Sequence, residues 1–241
     1  MKPIPILMYH NIGIPPQGAD LRKLYVRRGA FARQMALLRL LGYRGLSMGE
    51  AMPYLCGEAS GKVVAITFDD GYSDTFEHAL PILQHYGFTA TCYFVSQRIG
   101  QHNVWDAQAI RATKPLMNEE NVRQWRSAGM EVGAHSQTHP HLNRCSDSEL
   151  LGEIGQSRLD LEQLIQQPVS QFCYPYGSFD PRVAAAVKAA GFAAATTTRR
   201  GRATAGSDLY SLPRIMVAGH HLLPVLAGQL LTRYEDKRGL R

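Results

Sequence analysis

The chain has 241 residues, 45% of them hydrophobic, enough to bury a substantial core, and no run of 18 or more apolar residues that could form a transmembrane helix. Its net charge of +6 is spread over small basic clusters (Arg22-Lys23, Arg27-Arg28 and Arg199-Arg200-Gly201-Arg202), and no nucleic-acid-binding motif accompanies them. The four cysteines (Cys56, Cys92, Cys145 and Cys173) form no Cys-x-x-Cys pair, which argues against a zinc knuckle or redox motif and for small buried hydrophobes in a reducing compartment.

The N-terminal stretch Met1 to Met8 is too short and too rich in proline for a signal-peptide core. If Met1 is the native start, the expectation is a cytoplasmic protein, at most peripheral to an anionic membrane. Strand-like and helix-like patterns then alternate. Ile4 to Tyr9 is a short apolar run. Phe31, Met35, Leu38 and Leu41 recur at helical spacing, and Gly42 can close that helix. Val63 to Phe68 reads as a buried strand. Ala79, Leu80, Leu83 and Tyr86 mark a helix ending at Gly87, with Pro81 tolerated near its start or at a kink. A strand over Ala90 to Val95 leads into an irregular stretch, 96–118.

Asn121 to Ala128 reads as a helix and Glu131 to Ala134 as a short strand. Ser146 to Gln166 is a long amphipathic helix opened by a Ser146/Glu149 capping box, with Leu150, Ile154, Leu161 and Leu164 on one face. A strand at Val169 to Tyr174, a helix at Pro181 to Ala190, and strands at Phe192 to Thr197 and Ser211 to Val217 complete the series. No linker-like or low-complexity stretch divides the chain, so residues 1–241 read as one domain. Repeated βα units predict parallel strands joined by right-handed crossovers, and about seven such strands can close into a barrel with its chemistry at the C-terminal ends.

Two strings stand at such ends. Thr67-Phe68-Asp69-Asp70-Gly71 places two carboxylates after an apolar strand, and His135-Ser136-Gln137-Thr138-His139 places two imidazoles four residues apart. Together they offer one carboxylate and two His to a metal, and a second carboxylate to act as a base, which describes a hydrolytic site with a position open to water.

With these strings the chain resembles the polysaccharide deacetylases, carbohydrate esterase family 4, closest to the branch that includes the poly-N-acetylglucosamine deacetylases. The matching residues are Thr67 to Gly71, His135 to His139 with Pro140-His141-Leu142, and Tyr174-Pro175-Tyr176-Gly177. Weaker matches are Tyr9-His10, Trp105-Asp106 and Leu212-Pro213-Arg214-Ile215. The resemblance implies an α/β fold, a distorted (β/α) barrel with fewer than eight regular units.

Read with that resemblance, Asp70, His135 and His139 are the expected ligands of Zn²⁺, with Co²⁺ or Ni²⁺ as substitutes. Pro140 keeps His139 out of helical geometry, so both His belong on a loop turn. Asp69 is the expected general base. Adjacent strand residues point to opposite faces, so a turn at Gly71 is needed for both Asp to serve one site. Arg214 lies in an apolar run where it needs a carboxylate partner. The family's usual Arg before the Pro-Tyr motif is missing here, and Arg214 is expected to supply its guanidinium to Asp69. Tyr176 matches the residue whose backbone N–H binds the oxyanion, and Trp105 could stack on a sugar or simply pack.

The family's late His-Asp string is incomplete at Val217 to His221, so the general acid is His10, which follows the first strand, with His220 and His221 as alternatives. The expected activity is metal-dependent removal of an N-acetyl group from an amino sugar in a glycan or glycan precursor. The alternatives are a deacylase acting on a lipid- or nucleotide-linked amino sugar, and an inactive carbohydrate-binding relic. Neither nucleic acid nor an obligate protein partner is expected.

Overall fold

Val63–Phe68 is buried at every position, the mark of a strand covered on both faces. The computed structural model, which describes residues 3–17, 22–105 and 113–239, sets this strand in a parallel sheet. Its strands are β1 (Ile6–Tyr9), β2 (Arg44–Leu46), β3 (Val63–Phe68), β4 (Thr91–Phe94), β5 (Glu131–Ala134), β6 (Gln171–Cys173), β7 (Ala194–Arg200) and β8 (Leu212–Met216). Their order is β1-β8-β7-β6-β5-β4-β3-β2, and β1 also pairs with β3. That pairing closes a seven-stranded barrel and leaves β2 as an added strand on β3. Among the described residues, no helix is long and apolar enough to cross a membrane.

Alternation along the strands divides the core. Leu7, Tyr9, Val64, Ile66, Phe68 and Phe94 belong to the larger cluster, packed with helix residues such as Phe31, Leu83 and Trp125. Ile6, Ala65, Tyr93, Cys173, Ala194 and Leu212 belong to a second cluster, joined by Met48 and Leu55 from the helix Met48–Leu55. Register aligns Tyr9 with Phe68 and Phe94 with Ala134. The next residues along the chain (His10, Asp69 and His135) therefore leave the barrel at the same mouth.

The sequence expectations and the structure differ mainly in short elements. β2 has three residues, too few to show alternation, and Gly45 is required there because a Cβ would stand 2.6 Å from the Phe88 ring. The eight-residue helix after it starts on a Ser47/Glu50 capping box and contains Pro53, so its helical pattern is faint. Two C-terminal helices, Leu223–Leu231 and Tyr234–Gly239, follow β8. The second is tied to β7 by a two-pronged pair between Arg200 and the fully buried Glu235, with contacts of 2.7 and 2.8 Å.

The long helix begins at the expected Ser146/Glu149 box but widens to π geometry over Leu151–Gln156 before resuming at Ser157–Ile165. A second π segment, Thr75–Ala79, precedes the helix Leu80–Tyr86, which places Pro81 in that helix's first turn. Asp106, part of the weaker Trp105-Asp106 match, lies outside the described residues.

Candidate active site

The ends of β3 and β5 bring the two strings into one cleft. The cleft has a volume of about 380 Å³ and is lined by His10, Asp69, Asp70, His135, His139 and Tyr176, among others. A cleft of this size suits a small ligand group.

Asp70 Oδ1 stands 3.5 Å from His135 Nε2 and 3.3 Å from His139 Nε2, and all three side chains are buried. Two donors bonded at about 2.0–2.1 Å to one tetrahedral cation stand about 3.3–3.4 Å apart, so the donor set fits a zinc-class ion. The tautomer fits as well. His135 Nδ1 lies 2.7 Å from the Cys173 carbonyl oxygen, which can only accept, so the proton sits on Nδ1 and the Nε2 lone pair faces the site. His139 Nδ1 is buried and finds no partner among the described residues. Its ring is fixed by packing instead: Trp105 stacks on it at 4.5 Å and 19°, and Tyr176 meets it edge-on at 4.5 Å.

The backbone bends to achieve this. Of the five non-glycine residues with positive φ among those described, four are here: Asp70 (78°), Ser136 (64°), His139 (68°) and Tyr176 (57°). Such conformations cost energy and tend to cluster where function requires them. The turn expected at Gly71 begins one residue earlier, at Asp70, and includes Gly71 at φ 77°. Asp enters this region at lower cost than most residues. At Gly71 a Cβ would lie 2.7 Å from the Phe94 ring, so glycine serves both the turn and the packing. Pro140 accompanies a non-helical His139, as expected, but its φ of 68° is left-handed rather than extended.

Asp69 faces Arg214 from across the barrel. Arg214 Nη1 and Nη2 donate to Asp69 Oδ1 and Oδ2, each at 2.7 Å, and the guanidinium is 1% exposed. Nε donates to the Thr197 carbonyl (2.8 Å), Nη1 also to Thr67 Oγ1 (3.0 Å), and Nη2 also to Cys173 Sγ (3.2 Å). Burial pushes the Asp69 carboxyl upward, and the Arg214 guanidinium outweighs it, so the group stays below the usual carboxylate range. Thr67 and Cys173 were missed as participants by the sequence reading. The signal for Thr67 was its place in the strand two residues before Asp69, hence on the same face.

Arg214→Ala leaves a buried carboxylate without its guanidinium, an event worth about 3–5 kcal/mol of stability when a buried pair is broken. Denaturant unfolding should register that loss. With the lowering influence gone, the Asp69 pKa rises, so the acid limb of the pH–rate profile should move to higher pH. Arg214→Lys should recover only part of both effects, because an ammonium cannot make the planar two-pronged contact. An unchanged acid limb in Arg214→Ala would place the arginine outside the catalytic machinery.

The other expected residues divide. His10 lines the cleft with Nε2 3.7 Å from Asp69 Oδ2. His220 is exposed and His221 half-buried. They pack against each other at 4.8 Å, and neither lines the cleft. Tyr176 is 39% exposed and stacks on His141 at 4.2 Å, forming part of the cleft wall. Trp105 gives one face to His139, which makes it a support for that ring.

Residues 57–195 match the polysaccharide deacetylase family, and that match contains Asp69, Asp70, His135, His139 and Tyr176. The chain belongs to this family. It is 30% identical over 217 residues to YxkH of Bacillus subtilis (strain 168), covering 89% of this chain and 71% of that one. It is 22% identical over 203 residues to the poly-beta-1,6-N-acetyl-D-glucosamine N-deacetylase of Staphylococcus aureus (strain N315), covering 83% and 70% of the two chains. Among solved structures, the Streptococcus pyogenes deacetylase PplD in complex with acetate superposes with a TM-score of 0.83 at 26% identity, covering 95% of this chain and 98% of that one. The polysaccharide deacetylase family thus accounts for the barrel and for both strings, while Arg214 lies beyond the matched residues.

Proposed function

We propose that this polysaccharide deacetylase is a metal-dependent hydrolase that removes the N-acetyl group from an N-acetylated amino sugar. The observation that carries the reading is the pairing of two adjacent carboxylates with different partners: Asp70 faces two imidazoles, and Asp69 is gripped by Arg214. A non-catalytic sugar-binding protein has no need of that division. The name of the Staphylococcus aureus relative supports an N-acetylated amino-sugar polymer as substrate, and acetate in PplD supports acetate as product.

Asp70, His135 and His139 would hold a zinc-class cation, and when bound it would supply Lewis acidity toward the acetamide carbonyl and water. The remaining work belongs to side chains and backbone. Asp69, kept anionic by Arg214, takes a proton from the water as it attacks the carbonyl carbon. The Tyr176 backbone N–H donates to the developing oxyanion, a contribution of roughly 3 kcal/mol for a preorganised donor. His10 returns a proton to the amine nitrogen. The C–N bond breaks, acetate leaves, and the sugar keeps a primary amine.

The test uses N-acetylglucosamine oligomers and counts two products. Acetate should appear one for one with new primary amine. No acetate and no new amine from these oligomers, with acetate released from an O-acetylated sugar instead, would mean ester cleavage and would contradict the amide chemistry.

A further inference from the structure

The loop Ser136 to His139 carries two strained residues, and His139 at its end has no side-chain hydrogen bond holding Nδ1 among the described residues. Trp105 and Tyr176 pack against its ring, and hydrogen bonds from outside hold the backbone of its loop. Its carbonyls are held from one side: Ser96 N donates to Ser136 O and Gln97 N to Gln137 O, both at 3.1 Å. Its amides are held from the other side by a single carboxylate. Glu153 Oε2 accepts from Gln137 N and Thr138 N, each at 2.9 Å, and Oε1 accepts from Thr138 Oγ1 at 2.5 Å. Within the loop, His139 N donates to Ser136 Oγ at 3.0 Å.

We propose that Glu153 is the positioning residue that clamps this loop and so holds His139 toward Asp70. The proposal rests on the reading of Asp70, His135 and His139 as a metal site. Glu153 follows Leu150 by three residues and precedes Ser157 by four, so it shares the inward face of the long helix, and the wide π turn Leu151–Gln156 spans it. About two turns further along, Asp160 adds a second grip, accepting from Gln137 Nε2 at 2.9 Å and Ser96 Oγ at 2.7 Å. A carboxylate suits the task because two convergent N–H groups and a hydroxyl all donate, and charge-assisted bonds are the stronger ones. Without it the two amides lose their acceptor, and the loop is free to leave the left-handed conformations at Ser136 and His139, which cost energy. Partners that orient a metal ligand typically change metal affinity by about 10–100-fold when removed.

The test has two arms, and neither reads turnover. In the first, hydrogen exchange on the metal-free protein follows the amides of Gln137 and Thr138. They should be protected in the wild type and exchange faster in Glu153→Ala, while amides of β3 and β5 stay protected. In the second, zinc affinity is measured by competition with a chelator. Glu153→Ala should bind about 10–100-fold more weakly than the wild type. Glu153→Gln should lie between the two, since its amide oxygen still accepts from the backbone while the Thr138 hydroxyl turns to accept from its NH₂. Should Glu153→Ala fail to fold, Glu153→Gln carries both arms. Unchanged exchange of the two amides together with zinc affinity within twofold of wild type would overturn the proposal. A wild-type protein that binds no zinc would remove the metal reading instead, and the exchange arm would still decide whether Glu153 holds the loop.

Discussion

Asp70→Ala and His135→Ala should each lose bound zinc and turnover together. Each removes one of the three donors proposed for the cation, and Asp70 Oδ1 stands from each imidazole within a few tenths of an ångström of the separation that a shared tetrahedral cation requires. His135 is the sharper case. Its ring is 2% exposed and fixed by the Cys173 carbonyl, which holds its Nε2 toward Asp70. Elemental analysis and acetate release on the same preparation check this. Zinc should fall well below one per chain and acetate release to background. Full zinc occupancy in either variant would show that the cation sits elsewhere.

Asp69→Asn separates the base from the ligands. The amide keeps the size and one acceptor oxygen, so Asp70 and the two His remain in place and zinc should be retained. The amide cannot take a proton from water, and general-base catalysis contributes about 10²–10⁴-fold, so turnover should fall by that range with metal content unchanged. Its NH₂ would also face one prong of the Arg214 guanidinium, where a carboxylate oxygen now accepts at 2.7 Å. The variant should therefore be less stable than wild type as well. Near wild-type turnover would reduce Asp69 to a turn residue and Arg214 to its structural partner.

Much of the site could be read before the fold was known, for definable reasons. Both strings come directly after apolar strands, and the parallel strands of a closed barrel all deliver their C-terminal loops to a single mouth. Arg214 announced itself because a guanidinium in an apolar run requires a carboxylate, and Asp69 is the one it meets. The features that could not be read were set by contacts distant in sequence. The left-handed backbone of Asp70 and His139 falls on residues that are not glycine, so Gly71 marked the turn only one residue late and nothing marked His139. β2 and the helix after it are too short to show a period. Glu153 did leave a trace, an acid on the inward face of an amphipathic helix, but its partners are backbone amides, which carry no residue signature. The choice among His10, His220 and His221 needed the fold, because only placement shows that His10 lines the cleft.

The most direct test of the central claim is reconstitution. Protein stripped with a chelator and titrated with Zn²⁺ should release acetate from N-acetylglucosamine oligomers in proportion to bound zinc, rising to a plateau at one zinc per chain. Undiminished acetate release from the stripped protein would contradict the account.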